Sequence, residues 1–142
     1  MVDDEIRLDH LVEAVVARAR RDAPNATITF AGERALIRGD RERIARAIGN
    51  LIDNAVKYAG SAGPVEVAVT PPGTTTVRDH GRGIPEESLP RIFDRFWRGP
   101  QARDIHGSGL GLAIVRQVAE DHQGHASARN DPDGGAVFSL QL

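Results

Sequence analysis

A two-layer α+β sandwich, with a mixed β-sheet and about three helices on one face, is the fold class this sequence predicts. Three stretches place apolar residues at helical spacing. Six short runs alternate or cluster apolar residues as strands do. Helical and strand patterns are interleaved, with no repeat, low-complexity segment or linker between them. At 142 residues the chain is long enough for one domain with a single core.

The first helix is "LDHLVEAVVARARRDA", where Leu8, Leu11, Val12, Val15, Val16 and Ala19 share a face. Pro24 and Asn25 end it, and "ATITF" and "ALIRGD" read as short strands. Asp40 then caps a helix running to about Tyr58 and closed by Gly60. "VEVAV" and "TTTVRD" form a hairpin over "TPPG". The next stretch, "HGRGIPEESLPRIFDRFWRGPQARDIHGSG", is rich in glycine and proline and reads as a loop, a short helix and a mobile loop. Its apolar cluster is Ile92, Phe93 and Phe96. "LGLAIVRQVAEDHQG" is a helix with Leu112, Val115, Val118 and Ala119 inward, and "HASARN" and "AVFSLQL" close the chain as a hairpin over "DPDGG".

Composition excludes several classes. Apolar residues make up 40% and charged residues 27%, as in a globular protein in water. A net charge of −2 lacks the basic footprint of a nucleic-acid binder. With no cysteine there is no disulfide and no thiolate metal site. No apolar run reaches the ~20 residues that cross a bilayer, and no signal peptide is visible. A cytoplasmic setting is expected, compatible with a soluble piece of a larger membrane protein.

One feature of the second helix is unexpected. Ile44, Ile48, Leu51 and Ala55 make its core face, and beside them run Asn50, Asn54 and Lys57. Each alone fits a solvated flank. As a set they are harder to dismiss, because asparagine is a mediocre helix former and two of them one turn apart bring no packing gain. Amide oxygens are hard, neutral ligands suited to Mg²⁺ beside a polyphosphate, where further carboxylates would add repulsion. Lys57, the only lysine in the chain, could neutralise phosphate oxygens.

Two glycine boxes follow. "GSGLG", Gly107 to Gly111, opens a helix, where backbone N–H groups and the helix N-terminus favour an anion. It is not a dinucleotide fingerprint, since no strand leads into it, and not a Walker loop, since no lysine follows its glycines. "DHGRG", Asp79 to Gly83, follows a strand. Asp79 could accept a hydrogen bond from an exocyclic amine, or simply bind its own turn backbone.

Taken in order, "NLIDNAVKY", "DHGRGIP", "RIFDRFWR" and "GSGLGLAIV" resemble the ATP-binding catalytic domain of bacterial two-component sensor histidine kinases, from about Ala35 to the C-terminus. The resemblance implies the Bergerat ATP-binding sandwich, shared with type II topoisomerases, the ninety-kilodalton chaperone and mismatch-repair ATPases. It implies ATP and Mg²⁺ as ligands. Asn54 is then the principal Mg²⁺ ligand, supported by Asn50, while Lys57 and Arg98 meet phosphate. Asn50, Lys57 and Arg98 take the catalytic positions. Tyr58 and Ile84 line the nucleotide, and Asp79 reads the adenine amine with Gly81 and Gly83 allowing close approach. Phe93 and Phe96 anchor the lid. Gly107, Ser108, Gly109, Leu110, Gly111 and Leu112 form the phosphate cradle. Two departures stand out: the usual Asn-Gly-x-Gly after the aspartate reads His80-Gly-Arg-Gly, and a frequent His-Gly-Gly reads His122-Gln123-Gly124. The lid, Trp97 to His106, has few apolar residues and is expected to lack a fixed conformation without nucleotide.

The resemblance also implies a partner. Such kinases phosphorylate a histidine on a dimerising helical hairpin, where an acidic residue follows the histidine and a proline comes soon after. None of the five histidines here has that setting. The chain is therefore expected to be a single-domain, monomeric fragment, residues 1–142. It would act on its own dimerisation domain and, by phosphorelay, on a response regulator, with no nucleic-acid partner. The hydrolysing relatives carry a glutamate four residues before the metal asparagine, where this chain has Asn50. An imidazole needs less help than water or a hydroxyl, so Asn50 favours transfer to histidine. The alternatives are an ATP-hydrolysing chaperone-type clamp and a binding module with a degenerate pocket.

Overall fold

The computed structural model describes residues 3–59, 61–94 and 111–142. Strand β1 (Asp4–Arg7) leads into helix α1 (Leu8–Asp22), followed by β2 (Ile28–Gly32), β3 (Leu36–Gly39) and the long helix α2 (Arg41–Ala59). Next come β4 (Val65–Thr70) and β5 (Thr74–Arg78), a 3₁₀ turn at Leu89–Arg91, helix α3 (Gly111–Asp121), and a closing hairpin of β6 (His125–Asn130) and β7 (Ala136–Gln141). Among the described residues no helix is long and apolar enough to cross a membrane.

The main sheet has the order β2-β4-β5-β7-β6. β2 runs parallel to β4 and the other neighbours are antiparallel, so the sheet is mixed, as expected. Alternation sends Val65, Val67, Val69, Val77, Phe138 and Leu140 to one buried face. α1 covers it with Val12 and Val16, α2 with Ile44, Ile48, Leu51, Ile52 and Ala55, and α3 with Val115, Val118 and Ala119. The register puts Glu66, Thr76, Ser127 and Ser139 on the other, polar face.

The sequence expectation of one sheet needs correcting. "ALIRGD" does not join the main sheet: β3 pairs antiparallel with β1, a strand the periodicity did not reveal. "DEIR" offers one apolar residue, and its burial depends on Ile37 directly opposite Ile6 in the ribbon. Asp9 closes this corner. Its carboxylate takes two hydrogen bonds from Arg7, at 3.0 and 2.7 Å, and one from the Ala35 N–H at 3.3 Å. The Leu8 N–H donates to Ala35 O beside it. The Arg7 pair foremost, with the Ala35 N–H, outweighs desolvation and holds the Asp9 carboxyl well below the usual carboxylate range.

The helix ends follow local chemistry. Asp40 caps α2, accepting from the Arg43 N–H at 3.3 Å. α3 ends in a Schellman motif, with Gly124 N–H on Ala119 O and Gln123 N–H on Glu120 O. Here the substitution of glutamine for the first of two glycines has a cost: Gln123 sits at φ 56, a left-handed position that disfavours a side chain. Gly124 is retained because a Cβ there would fall 2.0 Å from Gln141 O.

Two outcomes follow for stability. A carboxylate whose pKa is lowered by folding stabilises the fold above its ordinary value of 3.8 and loses that contribution as pH falls toward its folded value. Asp9→Asn should therefore lower the urea midpoint at pH 7, and the gap from wild type should close on acidification below 3.8; a gap independent of pH would contradict this. Gln123→Gly should raise stability by about 1 kcal/mol in the same assay, and an unchanged or lower midpoint would count against strain at this turn.

Candidate functional site

Helix α2 is the spine of the site. Ile44, Ile48, Leu51 and Ala55 are fully buried and fix its rotation about its axis. Asn50, Asn54 and Lys57 therefore emerge together on the flank. Asn50 and Asn54 are half-buried and Lys57 is exposed. Asn50 Nδ2 donates to Gly111 O at 3.2 Å, tying the amide to the first residue of α3. Because its partner is a carbonyl, the amide nitrogen must face it, and Oδ1 is left for another partner. From Asn50 to Ala59 the helix rises about 13 Å. There it meets the first glycine box: a Cβ built on Gly81 would lie 2.6 Å from Ala59 Cβ. The polar stripe thus lies between Gly81 of the first box and Gly111, the last residue of the second.

The pairing of α2 with α3 is fixed again at the far end. Arg43 and Asp121 form an ion pair at 2.5 Å. The Arg43 hydrogen bond first, then that of Gln117, holds the Asp121 carboxyl below its ordinary range. His122 Nδ1 faces Val118 O at 2.7 Å and Nε2 faces the Asp40 N–H at 3.0 Å. A carbonyl requires a donor and an N–H requires an acceptor, so these partners assign the donor role to Nδ1 and the acceptor role to Nε2.

Asp79 is buried, 5% exposed, at the end of β5. Its Oδ1 accepts from the N–H groups of Gly81 and Ala136, each at 3.0 Å, and its own N–H donates to Ala136 O at 3.0 Å. Oδ2 has no hydrogen-bond partner among the described residues. The turn reading of the sequence is therefore met by Oδ1, which binds the backbone on either side of the loop. Gly83 takes φ 81, and a Cβ there would lie 2.7 Å from Asn130 Oδ1. Ile84 and Leu112 are partly buried against the core, while Tyr58 stands 47% exposed at the end of α2.

Phe93 meets Phe138 of β7 edge-on, with ring centroids 6.3 Å apart, fixing the segment that precedes the lid. Asp94 adds an ion pair to Arg116 of α3 at 3.1 Å. Phe96, Arg98, Gly107, Ser108, Gly109 and Leu110, together with the lid from Trp97 to His106, lie outside the described residues. Among the described residues no group of three or more His, Cys, Asp or Glu side chains is placed to hold a metal ion.

Periodicity and motif spacing missed three contributors. Ala136 donates its backbone N–H to Asp79, Asn130 binds both backbone groups of Ile84, and Glu66 pairs with His80 at 2.5 Å. The first contributes only backbone and leaves no trace in residue type. The second reads as an ordinary turn asparagine before "DPDGG".

The sequence profile of the family described as histidine kinase-, DNA gyrase B- and HSP90-like ATPases matches residues 39–142. The signal transduction histidine-protein kinase AfsQ2 of Streptomyces coelicolor is 41% identical, over 100% of this chain and 26% of its own length. The sensor histidine kinase component HK1 of Mycobacterium tuberculosis is 42% identical, over 87% of this chain and 75% of its own. This chain covers 25–30% of the length of AfsQ2, the sensor protein SphS of Synechococcus elongatus and the sensor histidine kinase YkoH of Bacillus subtilis. Among solved structures, the mycobacterial sensor histidine kinase MprB superposes with a TM-score of 0.88 at 28% identity, over 99% of this chain and 97% of that one. A nucleotide-free catalytic domain of the histidine kinase ThkA gives 0.86 at 28% identity, over 100% and 97%.

Proposed function

The chain belongs to the family of histidine kinase-, DNA gyrase B- and HSP90-like ATPases, and from that membership we propose that it is the catalytic domain of a sensor histidine kinase. It binds ATP and donates the γ-phosphoryl group to a histidine on a helical-hairpin dimerisation domain, for relay to a response regulator. The observation that carries this reading is the placement of α2. One helix edge brings the Asn50–Asn54–Lys57 stripe between the start of α3 and the glycine turn beside Asp79.

In this reading the adenine amine donates to Asp79 Oδ2, and the triphosphate runs along α2 toward Gly111. Asn54 and Asn50 would hold Mg²⁺ through amide oxygens, and the ion would there supply positive charge to the phosphates. The Asn50–Gly111 bond supports the fit, because it points the other amide atom, an oxygen, away from α3. Lys57 and Arg98 add positive charge at the phosphates. An imidazole nitrogen of the partner histidine uses its lone pair to form an N–P bond while the bond from Pγ to the bridging oxygen breaks, and ADP leaves. This domain mainly positions the nucleotide and neutralises charge, which is most of what phosphoryl transfer asks of a protein. No acidic side chain stands at Asn50 to activate water, which supports transfer over hydrolysis.

Mixing the chain with a dimerisation hairpin from a relative and γ-labelled ATP should yield acid-labile phosphohistidine on the hairpin, and Asn54→Ala should abolish both the label and the Mg²⁺-dependent gain in nucleotide affinity. An unlabelled hairpin, with steady release of phosphate instead, would replace this reading with a hydrolysing clamp. Asp79→Asn keeps the turn acceptor but presents an amide where the adenine amine needs a carboxylate. ATP affinity should fall about 10- to 100-fold in a calorimetric titration, and an unchanged affinity would remove Asp79 from base recognition.

A further inference from the structure

We propose that Asn130 is a positioning residue for the base slot, and that it helps set selectivity for an aminopurine; this rests on the base-binding reading of Asp79 above. Asn130 ends β6, on the hairpin opposite the Asp79 loop. Its Oδ1 accepts from the Ile84 N–H and its Nδ2 donates to Ile84 O, both at 2.7 Å. A side-chain amide here copies the paired donor and acceptor of a neighbouring strand, at a point where no strand runs. Gly83 has no room for a side chain against it.

The other end of the same loop is registered to the same hairpin. Ala136 O accepts from the Asp79 N–H, and the Ala136 N–H donates to Asp79 Oδ1. Asp131, next to Asn130, pairs with Arg78, the residue before Asp79, at 3.4 Å. Residues 79 and 84 are thus spaced by one rigid element. That spacing sets how far the Gly81–Ile84 backbone stands from the available Oδ2 of Asp79, and so the width of the slot for a flat base. The residue type is specific. Aspartate keeps the acceptor but faces Ile84 O with a second oxygen, and alanine removes both bonds.

The test uses the full chain and compares ADP, inosine diphosphate, which lacks the exocyclic amine, and inorganic tripolyphosphate, each with Mg²⁺. Asn130→Ala and Asn130→Asp are titrated by calorimetry, with melting curves taken without ligand. We expect both variants to fold, ADP affinity to fall about tenfold, the preference for ADP over inosine diphosphate to shrink, and tripolyphosphate binding to stay at the wild-type value. An unchanged ADP affinity and preference would overturn the proposal. So would a parallel loss for all three ligands, or failure of both variants to fold, since either marks a purely structural role. Absence of ADP binding by the wild type would instead sink the base-binding reading itself.

Discussion

One oxygen of the Asp79 carboxylate, held by two backbone N–H groups, is the constraint around which the site is organised. Burying a carboxylate is costly unless its charge is met by hydrogen bonds. Gly81 and Ala136 both donate to Oδ1, one from the turn after β5 and one from the start of β7. The bond from Ala136 exists only if β7 is registered beside β5, with Val137 opposite Arg78. The bond from Gly81 exists only if the turn can press against Ala59, which requires the absence of a side chain. Sheet register, helix position and glycine identity therefore converge on the orientation of a single carboxylate.

The same economy governs α2. Full burial of a large aliphatic side chain contributes about 1.5–3 kcal/mol, and Ile44, Ile48, Leu51 and Ile52 are all fully buried. Core packing of this size fixes the rotation and height of the helix without help from its polar flank. Asn50 and Asn54 can then be poor helix formers at little risk to the fold. The ion pair of Arg43 with Asp121 and the bonds of His122 do for α3 what the core does for α2. α3 is held at its C-terminal end by charge and at its start by the Asn50 amide, so Gly111 is presented at a defined place.

Residue patterns located most elements because their signals are local. The stripe on α2 was visible because residues three and four apart must share a helix face whatever surrounds them. The departure at Gln123 was visible too, though not its consequence, since a left-handed backbone angle depends on how the helix ends. β1 was invisible because "DEIR" has no periodicity worth the name; it becomes a strand only when Ile37 buries Ile6. Asp9 likewise reads as a helix-start acid, and its ties to Arg7 and Ala35 arise from a corner that brings distant residues together.

The amino-acid sequence by itself determined the two layers, the three helices, every strand but β1, the amide stripe and the glycine turn beside Asp79. Each of these follows from spacing along the chain. Tertiary structure alone decided which oxygen of Asp79 is engaged, which atom of Asn50 faces α3, and that Asn130 and Ala136 belong to the site at all. Those facts are contacts between residues 46, 57 and 61 positions apart, and no periodicity within one segment encodes a partner on another.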